Sequence, residues 1–292
     1  MSERSELARA AGSGKPSSRV ALVTGCSSGI GLATAVEFAR QGCAVVAAMR
    51  NLDRAGPLRQ ALHDARVEAD VRVLDVADDE SVRSAVASIT ADHGGIDIVI
   101  SNAGVGIDGT TEELTIEDFR VSFETNVLGS VRLLQALLPA WRRRGSGRFV
   151  AVSSMAGILG TPLNDAYCTS KFGLEGLLES LHPVAAQHGV QISIVEPGPV
   201  SGDFAHKHGP PVSRTEDGPY AAARAAFQRV QDGGYDTAQT SEEIAAVLWQ
   251  VACADEPVLR YQTSDDVAKI VGLKVKDVTG ERVTGLTARW IR

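Results

Sequence analysis

The chain has 292 residues, 44% of them hydrophobic and 22% charged, and a net charge of −7. That composition excludes disordered, collagenous and coiled-coil chains, and the acidic balance argues against nucleic acid or an anionic membrane as a partner. No apolar run approaches the roughly 18 residues that span a bilayer, and Cys26, Cys43, Cys168 and Cys253 are scattered without metal-type spacing, which reads most simply as free buried thiols in a cytoplasmic protein.

Residues 1–18 are small and polar, lack the apolar core of a secretory signal, and read as a flexible tail. From Arg19 onward, strands alternate with helices. Val20–Val23, Ala44–Met49, Val71–Leu74, Ile96–Ser101, Arg148–Val152 and Val190–Val195 read as strands, with Val258–Gln262 as a last edge strand. Ile30–Arg40, Leu58–Ala65, Asp79–His93, Ile116–Arg144 (interrupted at Asn126 and Gly129), Asp165–Gln187 and Ser241–Cys253 have helical spacing. Strands apolar on both faces, separated by helices, predict a doubly wound parallel α/β sheet of about seven strands in a single domain over 19–292. Pro183 is expected to kink the Asp165–Gln187 helix or end it early.

The turn after the first strand reads Thr24-Gly25-Cys26-Ser27-Ser28-Gly29-Ile30-Gly31. Glycines at the start of a helix let backbone N–H groups approach a pyrophosphate at the helix's positive end. Gly25, Ser27, Ser28, Gly29, Ile30 and Gly31 are therefore candidate dinucleotide contacts. The second strand ends in Met49-Arg50, where a site for NAD(H) usually carries an acid for the ribose hydroxyl. A guanidinium there suits a 2′-phosphate, so NADP(H) is favoured over NAD(H). Asp75 at the end of the third strand and Asn102 at the end of the fourth face the same crevice, although Asp75 also suits a turn or cap.

Ser154, Tyr167 and Lys171 are the strongest constellation. Tyr167 and Lys171 are four residues apart on a predicted helix and share a face. A phenol titrates near ~10, and an adjacent ammonium is expected to lower that value. The pair can then exchange a proton with an alcohol or carbonyl, with the Ser154 hydroxyl fixing the oxygen.

With these motifs in order, and with Asn102-Ala103-Gly104 and Pro197-Gly198 at their expected places, the chain resembles the short-chain dehydrogenase/reductase family from Arg19 to its C-terminus. It is most similar to the steroid- and retinol-dehydrogenase-like members, through stretches such as PLNDAYCTSKFGLEGLLESL. The resemblance implies that Tyr167 is the acid/base, that Lys171 tunes it and holds the nicotinamide ribose, and that Ser154 orients the carbonyl. It implies that Asn126 holds a helix kink and a proton-relay water, and that Asp75 meets the adenine. Pro197, Gly198 and Val200 would contact the nicotinamide. The family's carboxamide-holding Thr is replaced here by Gly202, after Ser201.

The expected activity is NADPH-dependent reduction of a ketone or aldehyde, or the reverse oxidation. The alternatives are a reductase of carrier-bound 3-ketoacyl groups, for which Arg142-Arg143-Arg144 is one candidate docking patch although the run reads more simply as a solvated helix end, and a non-catalytic NADP(H) sensor. The segment 199–239 carries Phe204, Pro210, Pro211, Tyr220, Phe227, Val230 and Tyr235, has helical spacing over Ala221–Val230, and is flanked by glycines including Gly202 and Gly209. It reads as a substrate lid and predicts a bulky apolar substrate. No metal is expected, since His206 and His208 lack a ligand framework. Apolar residues on more than one face of Val127–Leu138 and Phe172–Leu181 predict a homodimer or homotetramer.

Overall fold

The computed structural model describes residues 19–201, 218–234 and 238–292. Its elements in chain order are β1 (Val20–Thr24), α1 (Gly29–Arg40), β2 (Ala44–Met49), α2 (Gly56–Ala65), β3 (Asp70–Val73), α3 (Asp79–His93) and β4 (Ile98–Ser101). There follow α4 (Ile116–Phe123), a π-helical turn (Glu124–Leu128), α5 (Gly129–Arg144), β5 (Gly147–Val152), α6 (Asp165–Ala186) and β6 (Val190–Glu196). The C-terminal part holds α7 (Ala221–Gly234), α8 (Ser241–Cys253), β7 (Arg260–Gln262), α9 (Asp265–Val275) and α10 (Glu281–Thr287).

Seven strands form one sheet in the order β3-β2-β1-β4-β5-β6-β7, and every neighbouring pair is parallel. Alternate residues of the central strands feed two cores. Val20 and Leu22 pack with Ile89, Leu133, Trp141, Leu174 and Leu178 from α3, α5 and α6. Ala21 and Val23 pack with Phe38, Leu58, Ile244 and Leu248 from α1, α2 and α8. Helices on both faces explain why these strands are apolar throughout rather than alternating. Only the edge strands β3 and β7 are short and half-buried, which limits unpaired edge.

β1 pairs with β2 on one side and β4 on the other. The chain thus winds outward in opposite directions from these two strands, which opens a crevice at their C-terminal ends. The predicted strands and helices are present, with small shifts at their ends. The interruption expected in the 116–144 stretch is the π-helical turn, which contains Asn126.

Four readings need correction. Pro183 lies inside α6, which continues to Ala186; it falls in the last turn, where little helix remains to be disrupted. Helices α9 and α10 were not anticipated, although Ser264 caps α9 at the Val267 N–H (3.3 Å) and Asp265 and Asp266 fill its first turn. Cys26, Cys43 and Cys168 are buried free thiols, whereas Cys253 is half-buried. The apolar residues of Val127–Leu138 lie largely within the monomer's own core rather than on a second face. The tail, Phe204, His206, His208, Pro210, Pro211, Tyr235, Gly202 and Gly209 fall outside the described residues.

Candidate active site

A cavity of about 990 Å³ opens at the C-terminal ends of β1, β4 and β5. On one wall is the Gly25–Gly31 turn. Gly25 has φ +75°, and a Cβ there would fall 2.9 Å from the Ala103 Cα. A Cβ on Gly31 would fall 2.4 Å from the Gly25 carbonyl oxygen. Both positions therefore require glycine, one for conformation and one for close packing. Ser28 starts α1 without a side-chain capping bond, and no acid occupies the first turn. The N–H groups at this helix start keep their positive end open toward the cavity.

The turn is held from beneath by β4. Asn102 Nδ2 donates to the Thr24 carbonyl (2.9 Å), and Thr24 Oγ1 accepts from the backbone N–H groups of Asn102 and Ala103 (3.0 Å each). Asn102 thus lines the cavity while its amide buckles two strand ends together. Asp75 also lines it, and its Oδ1 accepts from the Ala77 N–H (3.0 Å), so the turn-forming reading of this aspartate holds too. Arg50 reaches the same end of the cavity with Arg54 and Met49. Among the described residues neither arginine is in an ion pair. Arg54 was not foreseen; it follows from the short helical turn Leu52–Arg54, which Asn51 caps at the Asp53 N–H (2.9 Å).

Ser154, Tyr167 and Lys171 meet on the opposite wall. Ser154 caps the short turn Met155–Gly157, its Oγ accepting from the Ala156 N–H (3.1 Å). Lys171 Nζ donates to the Val152 carbonyl (2.9 Å) and stands 5.7 Å from the centre of the Tyr167 ring. Burial pushes the Tyr167 phenol up to about 12, with the Ser154 hydroxyl pulling the other way. Burial also pushes Lys171 down to about 8, opposed by Glu175. The phenol therefore lies above its ordinary value, opposite in direction to what the spacing to Lys171 suggested, because loss of water is the largest influence on it.

Two predicted site residues do not line the cavity. Gly31 lies behind its turn, and Asn126 is buried beneath the loop after β4. Asn126 Oδ1 accepts from the Val105 N–H (2.8 Å), and its Nδ2 donates to the Val105 carbonyl (2.9 Å) and Ser170 Oγ (2.8 Å). It ties the π-helical turn to that loop and to α6. Pro197, Gly198 and Val200 all line the cavity. Met155 N–H donates to the Pro197 carbonyl (2.9 Å), and a Cβ on Gly198 would come within 2.7 Å of Val267.

The far end of the cavity is apolar and was only half foreseen. Phe227 and Val230 of the expected lid are there, but so are Val267, Ile270 and Trp290 from the C-terminal helices. The rings of Phe227 and Trp290 are 6.5 Å apart. Tyr220, named with the lid, turns away and donates its hydroxyl to Glu112. The Arg142–Arg144 patch is at the other end of the sheet, because Arg144 bonds the Ile96 carbonyl and pairs with Asp97, just before β4. It therefore cannot dock a carrier at the cavity mouth. No helix of the described residues is long and apolar enough to cross a membrane.

Comparison with known proteins agrees with this geometry. A family model described as short chain dehydrogenase matches residues 19–212. The chain is 37% identical to retinol dehydrogenase 8 of Bos taurus, covering 90% of this chain and 86% of that protein. It is 38% identical to 17-beta-hydroxysteroid dehydrogenase type 1 of Homo sapiens, covering 89% and 82%. The crystal structure of a short-chain dehydrogenase from Streptomyces avermitilis superposes with a TM-score of 0.76 at 30% identity, covering 92% of this chain and 98% of that one.

Proposed function

The chain belongs to the short-chain dehydrogenase family, oxidoreductases of alcohol and ketone groups that use a nicotinamide dinucleotide, and from that premise we propose that it reduces a bulky apolar ketone or aldehyde with NADPH, or runs the reverse oxidation. The observation that carries this reading is the convergence of Ser154, Tyr167 and Lys171 on one cavity with the glycine turn of α1.

The residues present fit the dinucleotide. Side chains are excluded at Gly25 and Gly31 by their surroundings, and the uncapped start of α1 offers N–H donors to a pyrophosphate. Arg50 and Arg54 at the edge of that wall suit a 2′-phosphate. Once bound, the dinucleotide supplies reducing equivalents to the carbonyl carbon. Tyr167, in its protonated form at neutral pH, gives its proton to the carbonyl oxygen as negative charge grows there. Ser154 fixes that oxygen by a hydrogen bond, and the Lys171 ammonium stabilises the phenolate that forms. Phe227, Val230, Ile270 and Trp290 exclude water and favour an apolar body on the substrate.

The test is NADPH oxidation with a panel of carbonyls, from small polar aldehydes to polycyclic ketones. Tyr167→Phe removes the proton donor and little volume. It is expected to lower turnover by about a hundredfold or more while NADPH affinity, read by fluorescence titration, stays near wild type. Unchanged turnover in the variant would remove Tyr167 from the mechanism, and NADPH binding with no turnover of any carbonyl would favour the sensor reading instead.

A further inference from the structure

Helix α6 carries Tyr167, Lys171, Glu175 and Glu179 at four-residue intervals, so the four side chains follow one another along one face. Glu175 is not in the cavity wall, yet it is only 4% exposed. A carboxylate buried behind a catalytic site needs a physical account, because removing it from water is costly unless charges and hydrogen bonds replace the solvent.

Its surroundings come from four segments. From β7, Arg260 Nε donates to Glu175 Oε2 (3.0 Å) and lies 3.4 Å from Glu196 Oε1, while its Nη2 pairs with Glu179. From the end of β6, Glu196 is fully buried and its Oε2 accepts from Gln262 Nε2 (2.9 Å). From the end of β5, Ser153 Oγ approaches Glu175 beside Gly157, where a Cβ would fall 2.7 Å from that hydroxyl and 3.0 Å from Glu175 Cγ. From α6 itself, Lys171 stands one turn back toward the cavity. Glu175 Oε1, Glu196 Oε1 and Ser153 Oγ lack a well-formed hydrogen bond among the described residues. Setting aside the exposed Glu179, two buried carboxylates face two cations, Arg260 and Lys171. Arg260 is shared between both acids, so Lys171 completes the balance.

We propose that Glu175 is a positioning residue of the catalytic site: its buried carboxylate, one turn behind Lys171 and bridged by Arg260 to Glu196, holds the Lys171 ammonium charged against the cavity. Glu196 immediately precedes the Pro197-Gly198 turn, so the same bridge ties the catalytic helix to the wall opposite α1's start. The electrostatics agree in direction. Glu175 is the charge that supports the Lys171 ammonium against burial, and Glu175 itself is pushed up to about 7 by burial, with the Ser153 hydroxyl and Arg260 lowering it and Glu196 raising it. Loss of the Glu175 charge therefore lowers the proton affinity of Lys171, and any property that needs the ammonium is lost at a lower pH.

The inference rests on the proposed reaction for its meaning but not for its test. The ε-carbon resonance of Lys171, assigned with Lys171→Arg in 13C-lysine-labelled protein without added ligand, is titrated in wild type, Glu175→Gln and Glu175→Asp. The expected result is a midpoint about one pH unit lower in Glu175→Gln, a tenfold loss of proton affinity, with Glu175→Asp close to wild type because the charge is kept. The alkaline limb of NADPH-dependent reduction should move by the same amount. An unmoved Lys171 midpoint in folded Glu175→Gln overturns the proposal, whatever the enzyme reduces. If Glu175→Gln does not fold, Glu175→Ala takes its place: a Lys171 midpoint about one pH unit below that of Glu175→Asp supports the role of charge, and equal midpoints in the two variants overturn it. Absence of turnover in wild type, with the midpoint shift intact, would count against the proposed reaction and leave the role of Glu175 standing.

Discussion

Arg50 and Arg54 are the residues on which the proposed preference for NADP(H) rests. Both line the cavity, and Met49, at the place of the usual acid, is almost fully buried. Inserting a carboxylate at Met49 would bury a charge as well as test specificity, so Arg50→Ala is the cleaner variant. A hydrogen bond to a charged group contributes about 1.5–3 kcal/mol, so kcat/KM with NADPH should fall about tenfold to a hundredfold while that with NADH hardly changes. Wild type that uses both dinucleotides equally well would remove the premise before any variant is made. Arg50 was legible in the sequence because a strand end fixes where its next residue points. Arg54 was not, since its position depends on a short helical turn that only Asn51 and the cavity edge reveal. Asn126 was legible by resemblance, but its bonds to Val105 and Ser170 join segments far apart in the chain and have no local pattern. The phenol of Tyr167 was misjudged for a related reason: spacing gives the neighbouring ammonium, whereas burial is a property of the finished fold.

At the scale of elements, the strands and the helices between them were readable because burial on both sheet faces imposes a strong period. The helices after β7 were missed because α9 and α10 are only partly covered and bury few residues, Val267, Val271 and Val283 among them. Yet α9 brings Ile270, and the short helical turn Ala288–Ile291 after α10 brings Trp290, to the apolar end of the cavity, opposite α7. Helix α7 is itself fastened to the segment before α4, where Arg224 Nη2 meets Glu113 Oε1 at 2.6 Å. The Phe227–Trp290 pair therefore acts as a wall built from two elements distant in sequence. Trp290→Ala removes one ring of it. For a large apolar ketone, kcat/KM should drop about tenfold or more, given that 1–3 kcal/mol follows from even small losses of apolar contact in a pocket. A small aldehyde should be reduced as before, and NADPH affinity should hold. Equal losses for both substrates would show that Trp290 supports the fold and does not select the substrate.

For the whole molecule, a net charge of −7 makes two copies repel unless an apolar surface draws them together. The sequence pattern assigned that surface to residues 127–138 and 172–181. The first stretch is largely consumed by the core, with Val127, Leu133, Leu134 and Leu137 all buried. Of the second stretch Phe172 is uncovered, 40% exposed, and near it on the same two helices Ile116, Val121 and Phe123 of α4 and Val184 of α6 are also uncovered, with Ile116 69% exposed. Phe123 packs over Gly173, where a Cβ would come within 3.1 Å of its ring, so the two helices meet next to Phe172. Periodicity finds apolar faces, but it does not say which neighbour covers each one. A two-fold contact would use Phe172 once from each copy. Burying a Phe side chain contributes about 1.5–3 kcal/mol, so Phe172→Glu counts twice and should weaken a dimer about a hundredfold to ten-thousandfold. Light scattering after size exclusion should give at least twice the chain mass for wild type at micromolar concentration, and one chain mass for the variant. Thermal stability of wild type should then rise with protein concentration, and that of the variant should not. A wild type that elutes as a monomer, or a Phe172→Glu protein of undiminished size, would rule out this face as the contact.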